Sequence, residues 1–196
     1  MESGETHRVI LPEGFEVREV DWFPEGTNLL FSAVADGVLS LWKIPILGGE
    51  SRKLREKVWR AAVSPDGSLI AFLDATFSPP AASHGSNGES PRKIVEAGAQ
   101  DSFVELAWSP DGERLAYGKW HSGPKGSPFT IESIHLESGR ANVALSNPRL
   151  FQEWRGFLPF SWTPDGRLIY ALQELPPNEE SSNLWALPID LDSGET

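Results

Sequence analysis

The sequence predicts an all-β fold: a partial β-propeller of about four blades, each a four-stranded antiparallel sheet. Three observations predict it. Four times an apolar strand runs into a Pro-acid-Gly turn and another apolar strand leaves it. The turns are Phe23-Pro24-Glu25-Gly26, Ser64-Pro65-Asp66-Gly67, Ser109-Pro110-Asp111-Gly112 and Thr163-Pro164-Asp165-Gly166. Their prolines lie 41, 45 and 54 residues apart, a period that belongs to an array of small sheets. Finally, eight Trp and ten Phe in 196 residues supply the bulk of an aromatic-rich β core.

The first repeat justifies each strand in order. Glu16 to Trp22 alternates polar and apolar residues, the period of a half-buried strand. In the turn that follows, proline at the second position pre-sets φ and glycine at the fourth suits a type I turn. A Ser or Thr opens the three later turns, where its hydroxyl can bond the turn backbone. Leu29 to Ala33 is a short apolar run, as in a strand buried on both faces. Ala35-Asp36-Gly37 turns the chain into a third strand, Val38–Ile44. Gly48-Gly49 turns it again into Ser51–Leu54, a short charged strand suited to an exposed edge.

The other repeats can be laid on this one. First strands fall at 58–63, 103–108 and 157–162, and second strands at 69–73, 115–118 and 168–172. The residue two before each turn proline is Trp22, Val63, Trp108 or Trp162, a regularity that predicts packing between adjacent blades. Tyr117 and Tyr170 follow the second-strand pattern of core residues. Leu184-Trp185-Ala186-Leu187-Pro188 nearly copies Leu41-Trp42-Lys43-Ile44-Pro45. The blades are therefore 15–54, 58–96, 103–145 and 157–196, and residues 1–14 read as the outer strand of a preceding blade.

The pattern breaks in three places. In the second repeat, 78–91 has loop composition with three prolines and no β-branched residue, so the third strand reads as degraded. Either a functional loop or local damage to the coding sequence accounts for it, and the intact flanks favour damage. Gly/Pro-rich insertions at 120–128 and 174–181 lengthen loops on one rim, where binding tends to sit. Ser-Gly-Glu-Thr occurs at both ends, at residues 3–6 and 193–196. The first copy leads into His7–Leu11, which has the length of an outer strand, whereas the fourth blade stops without one. The chain could close into a four-bladed ring by pairing 7–11 with the last blade; blade number favours a fragment of a longer propeller. An open arc exposes apolar faces and strand edges, which predicts self-association.

The net charge of −11 excludes a nucleic-acid backbone or an anionic membrane as a natural partner. With no cysteine there are no disulfides or thiolate metal sites, and the redox compartment stays undecided. No apolar run reaches the ~20 residues needed to span a bilayer, so no membrane insertion is expected. The polar N-terminus is not a secretory signal, which places the chain as written in the cytoplasm unless a longer protein carried its own targeting segment.

No catalytic constellation is legible. His7, His84, His121 and His135 share no metal-ligand spacing. There is no G-x-S-x-G elbow, phosphate-binding glycine loop or kinase motif. Glu25, Asp66, Asp111 and Asp165 are explained by turn chemistry. The expectation is a non-enzyme with no catalytic, cofactor or metal residues and no cofactor, whose partner is a protein or small-molecule ligand.

Ser-Pro-Asp-Gly followed by Leu-Ile-Ala-Phe or Leu-Ala-Tyr resembles the propeller repeats of TolB, tricorn protease and the prolyl-oligopeptidase relatives. Asp21-Trp22-Phe23-Pro24, Ser40-Leu41-Trp42 with Ile46–Glu50, Ala107–Gly112, and Leu168-Ile169-Tyr170 with Asn183-Leu184-Trp185 resemble the propeller sensor regions of acidobacterial serine/threonine kinases. That resemblance implies an extracytoplasmic sensing or protein-binding module within a larger signalling protein. Alternatives are the gating propeller of a serine peptidase, a TolB-like periplasmic scaffold or a nonfunctional gene remnant.

Overall fold

The computed structural model describes residues 8–75, 81–121, 129–147, 160–173 and 182–196. These form four antiparallel sheets. Sheet one contains β1 (Glu16–Trp22), β2 (Asn28–Ala35), β3 (Val38–Pro45) and β4 (Arg52–Glu56). Sheet two contains β5 (Val58–Val63), β6 (Leu69–Asp74), β7 (Ala81–Gly85) and β8 (Arg92–Val95). In sheet three are β9 (Asp101–Trp108), β10 (Arg114–His121), β11 (Phe129–His135) and β12 (Ala141–Asn147). Sheet four holds β13 (Phe160–Trp162), β14 (Arg167–Gln173) and β15 (Ser182–Pro188). Strand order follows chain order in every sheet, the arrangement of propeller blades. No helix among the described residues is long and apolar enough to cross a membrane.

The four turns form as local chemistry dictates. Each closes with the glycine N–H donating to the first residue's carbonyl, at 2.8 to 3.1 Å, and each glycine has positive φ. The Ser64, Ser109 and Thr163 hydroxyls donate to Asp66, Asp111 and Asp165. The same hydroxyls accept the backbone N–H of Leu69, Arg114 and Arg167, which starts the next strand. Hydrogen bonds from Ser64 and Ser68 hold the Asp66 carboxyl down at about 2. In the first turn Phe23 replaces the hydroxyl residue and is buried, with the Lys43 ammonium 3.9 Å from its ring centroid.

The core lies between sheets rather than within them. One apolar cluster joins sheets one and two through Leu30, Leu41, Ile70 and Phe72. A second joins sheets two and three through Leu73, Phe103, Leu115 and Tyr117. A third joins sheets three and four through Phe129, Ile131, Leu168 and Tyr170. Among the described residues no cluster joins sheet four to sheet one.

Four expectations change. The second repeat has its third strand: β7 pairs with β6 from Leu73↔Ala81 to Leu69↔Gly85, inside the segment read as a loop. The reason is tertiary. Ala81 packs toward sheet three and Ala82 toward sheet one, so small side chains fill a thin space between sheets and β propensity does not decide. The Gly85–Gly88 turn closes after it, leaving no missing strand there for coding damage to explain; residues 78–80 lie outside the described residues. Secondly, residues 8–11 pair with no strand among the described residues, although Val9 and Leu11 pack on sheet one beside Phe31 and Ile44. Thirdly, Trp120 and His121 extend β10 instead of belonging to an insertion. Residues 122–128 and 174–181, where the long loops were placed, lie outside the described residues, as do 157–159. Lastly, Trp22 is 55% exposed where Trp108 is 8% exposed.

Candidate functional site

The innermost strands β1, β5, β9 and β13 converge on one cavity of about 330 Å³, lined among others by Glu19, Asp21, Ala62, Glu105 and Ser161. This is the axial channel of the array. Three charged residues meet beside it. Arg60 donates to Glu19 Oε1 at 2.5 Å and its other terminal nitrogen lies 3.6 Å from Glu105 Oε2. Their side chains are 11%, 23% and 17% exposed respectively. Each stands five residues before its turn proline, so the repeat itself brings them to one level.

Backbone irregularity aims them. The β1–β2 register slips between Val17 and Glu19, and the β5–β6 register between Val58 and Arg60. In β9 the slip falls at Glu105, between Val104 and Leu106. Glu105 itself has a φ of 48°, an uncommon conformation for a residue with a side chain. Such bulges re-aim side chains and increase local twist. Burial raises the Glu105 carboxyl above its ordinary value; Arg60 opposes the rise and Glu19 adds to it. Glu19 Oε2 is buried without a hydrogen-bond donor. The group is thus one guanidinium between two carboxylates, with acceptor capacity to spare.

Two recurring tethers hold the sheets around this channel. Trp108 Nε1 donates to the Ala62 carbonyl of the preceding sheet at 2.9 Å, and Trp162 Nε1 to the Ala107 carbonyl at 3.2 Å. Where Val63 replaces the tryptophan, the Asp21 carboxylate accepts the Val63 N–H at 2.8 Å instead. On the outside, Arg52, Arg92 and Asn142 near or in the outer strands donate to the Asn87, Leu136 and Ser193 carbonyls of the following sheet. Buried Arg114 adds a clamp, donating to the Leu191 and Asp192 carbonyls at 2.6 and 2.8 Å.

A second polar group lies on sheet three. Tyr117 donates to Glu132 at 2.8 Å, Lys119 approaches Glu132 and Asp101, and His121 Nδ1 lies 2.8 Å from Asp101. Burial, with Glu132 adding to it, pushes the Tyr117 phenol far above its ordinary range. Every polar member here is matched within one sheet, which is a stabilising role. Of the sequence-singled residues, Glu25, Asp66, Asp111 and Asp165 stay at their separate turns and are not brought together. The Glu19–Arg60–Glu105 group was not singled out in the sequence. Its signal was the shared offset from the turn prolines, which alternating strand residues at that depth do not advertise.

No family model matches the sequence, and no curated protein matches it. Solved structures do. The oligogalacturonate lyase of Vibrio parahaemolyticus superposes with a TM-score of 0.65 at 14% identity, over 91% of this chain and 55% of its own. TolB from Acinetobacter baumannii gives 0.64 at 11% identity, over 91% and 45%. The β-propeller domain of the trilobed protease from Pyrococcus furiosus gives 0.64 at 17%, over 89% and 55%. The chain has the β-propeller fold. It is built of four sheets and spans about half the length of the chains it superposes on. Enzymes occur among them, and a fold alone does not decide activity.

Proposed function

We propose that the chain is a non-catalytic recognition module whose axial channel receives a cationic group of a protein or small-molecule ligand. The role is that of the sensor regions its repeats resemble. The observation that carries this reading is the Glu19–Arg60–Glu105 group. Three sheets contribute to it, backbone bulges aim it, and its two carboxylates outnumber its one cation. Glu19 Oε2 lacks a donor, and a buried acceptor gains from one. An ammonium or guanidinium supplies both the donor and the missing charge. The overall charge of −11 favours the approach of such a ligand.

Titration calorimetry with a tetralysine peptide tests the reading, with a tetraglutamate peptide as control. Binding of tetralysine alone is expected, weakened at least about tenfold in Glu19→Gln/Glu105→Gln. Equal binding by that variant, or none by the unaltered chain, would sink the proposal.

A further inference from the structure

The open face of sheet one has the features of a between-sheet face with no other sheet against it among the described residues. Trp22 occupies the repeat position of Trp108 and Trp162, whose indoles reach the preceding sheet's inner strand. Beside it, Leu29, Ile44, Leu47 and the segment from Arg8 to Ile10 line an apolar groove of about 840 Å³. Leu47 is 90% exposed and Ile10 74%. Sheet four is the converse. Among the described residues it has three strands where the others have four, and β15 has Leu184 78% and Trp185 47% exposed.

Residues 8–11 connect the two observations. In sheets one to three the outer strand packs on the sheet that follows. Leu54 joins the cluster with sheet two, Ile94 the cluster with sheet three, and Ala144 the cluster with sheet four. Val9 and Leu11 pack on sheet one in the same manner. The segment therefore sits where the outer strand of a preceding sheet would sit, without that sheet's other three strands. Among the described residues sheet four has the counterparts of those three strands and no outer one.

We propose that the occupant of this face is sheet four of a second copy of the chain. Residues 8–11 of one copy pair with β15 of the other, and the Trp22 indole donates to the Ser161 carbonyl of that copy. Ser161 stands at the repeat position of Ala62 and Ala107, the carbonyls that accept Trp108 and Trp162. The register is taken from sheets one and three. There Arg55 and Leu145, six residues after the turn glycines Gly49 and Gly139, pair with Leu41 and Ile131, whereas in sheet two the counterpart Ala82 pairs with Lys93, five after Gly88, beside a bulge. The same count from Gly4 reaches Ile10, and Leu184 stands at the position of Leu41. Applied twice, the contact joins two arcs of four sheets into a ring of eight, within the roughly four to eight blades usual for propellers. A contact between different surfaces that closes on itself leaves no free edge. The inference uses the between-sheet tethers and not the channel group, so either can fail without the other.

Sedimentation velocity on the full chain, from about 1 to about 100 µM, is expected to show a discrete species of twice 21.6 kDa. Trp22→Ala is expected to raise its dissociation constant at least about tenfold. Because the chain has no cysteine, pairing can be read independently of folding or affinity. Mixed Ile10→Cys and Leu184→Cys chains are expected to form a disulfide-linked dimer on oxidation, and neither chain alone. Three results would overturn the proposal: a monomer throughout the range, larger assemblies indifferent to Trp22→Ala, or a disulfide within one chain of the doubly substituted protein.

Discussion

Trp108 and Trp22 stand at the same place in two repeats, each two residues before a turn proline. Trp108 is buried at the junction of sheets two and three, with its indole N–H on the Ala62 carbonyl. Trp22 is half exposed on the outer face of sheet one. Nothing local separates them, since both end an inner strand of similar pattern. The difference teaches that burial in a stacked array belongs to the neighbour on either side, as stability in such arrays does.

That comparison can be broken by substitution. Trp108→Ala has the largest expected effect, a loss of about 3–5 kcal/mol, because it opens a cavity and strips the Ala62 carbonyl of its donor. Denaturant unfolding measures it; a loss below about 1 kcal/mol would mean that the junction does not depend on the tether. Arg114→Ala comes next, at about 2–4 kcal/mol, through the unpaired Leu191 and Asp192 carbonyls at the sheet three–four junction. Arg114→Lys is expected to recover only part, because an ammonium lacks the planar fork that spans both.

The junction of sheets one and two has a pH dependence. His84 is buried against Phe72 and near Arg55, with its Nδ1 donating to the Gly85 carbonyl. Burial first, with the Arg55 charge adding to it, lowers its pKa below the ordinary 6.5. The unfolded chain therefore takes up the proton more readily. Stability from this site is full above about 6.5 and falls as pH drops below that value. The slope for one proton is at most about 1.4 kcal/mol per pH unit. His84→Leu is expected to flatten that part of the profile, and an unchanged profile would remove the assignment. The smallest effect sharpens the comparison from the other side. In dilute chain Trp22→Ala is expected to change stability by less than about 0.5 kcal/mol, against several for the same change at Trp108.

The third strand of sheet two shows where sequence reasoning stops. Ala81-Ala82-Ser83-His84 has nothing in its composition that favours a strand, and its neighbours β6 and β8 impose one. The charged group in the channel was equally hard to read, because Glu19, Arg60 and Glu105 lie on three strands far apart in sequence. Even Gly118 is explained only in space: a Cβ there would stand 2.7 Å from the Phe129 ring and 2.9 Å from Val104.

The sequence by itself determined the four turns, the strands beside them and the antiparallel sheets they build. Proline, an acid and glycine, with a hydroxyl in three of the four, satisfy one turn within a few residues, and no distant contact is needed. Only the tertiary structure decided which tryptophans are buried, where a small-residue strand could form and which charges meet at the channel. Those outcomes depend on the groups that adjacent sheets place opposite each residue, and the turns repeat the same local chemistry whatever stands there.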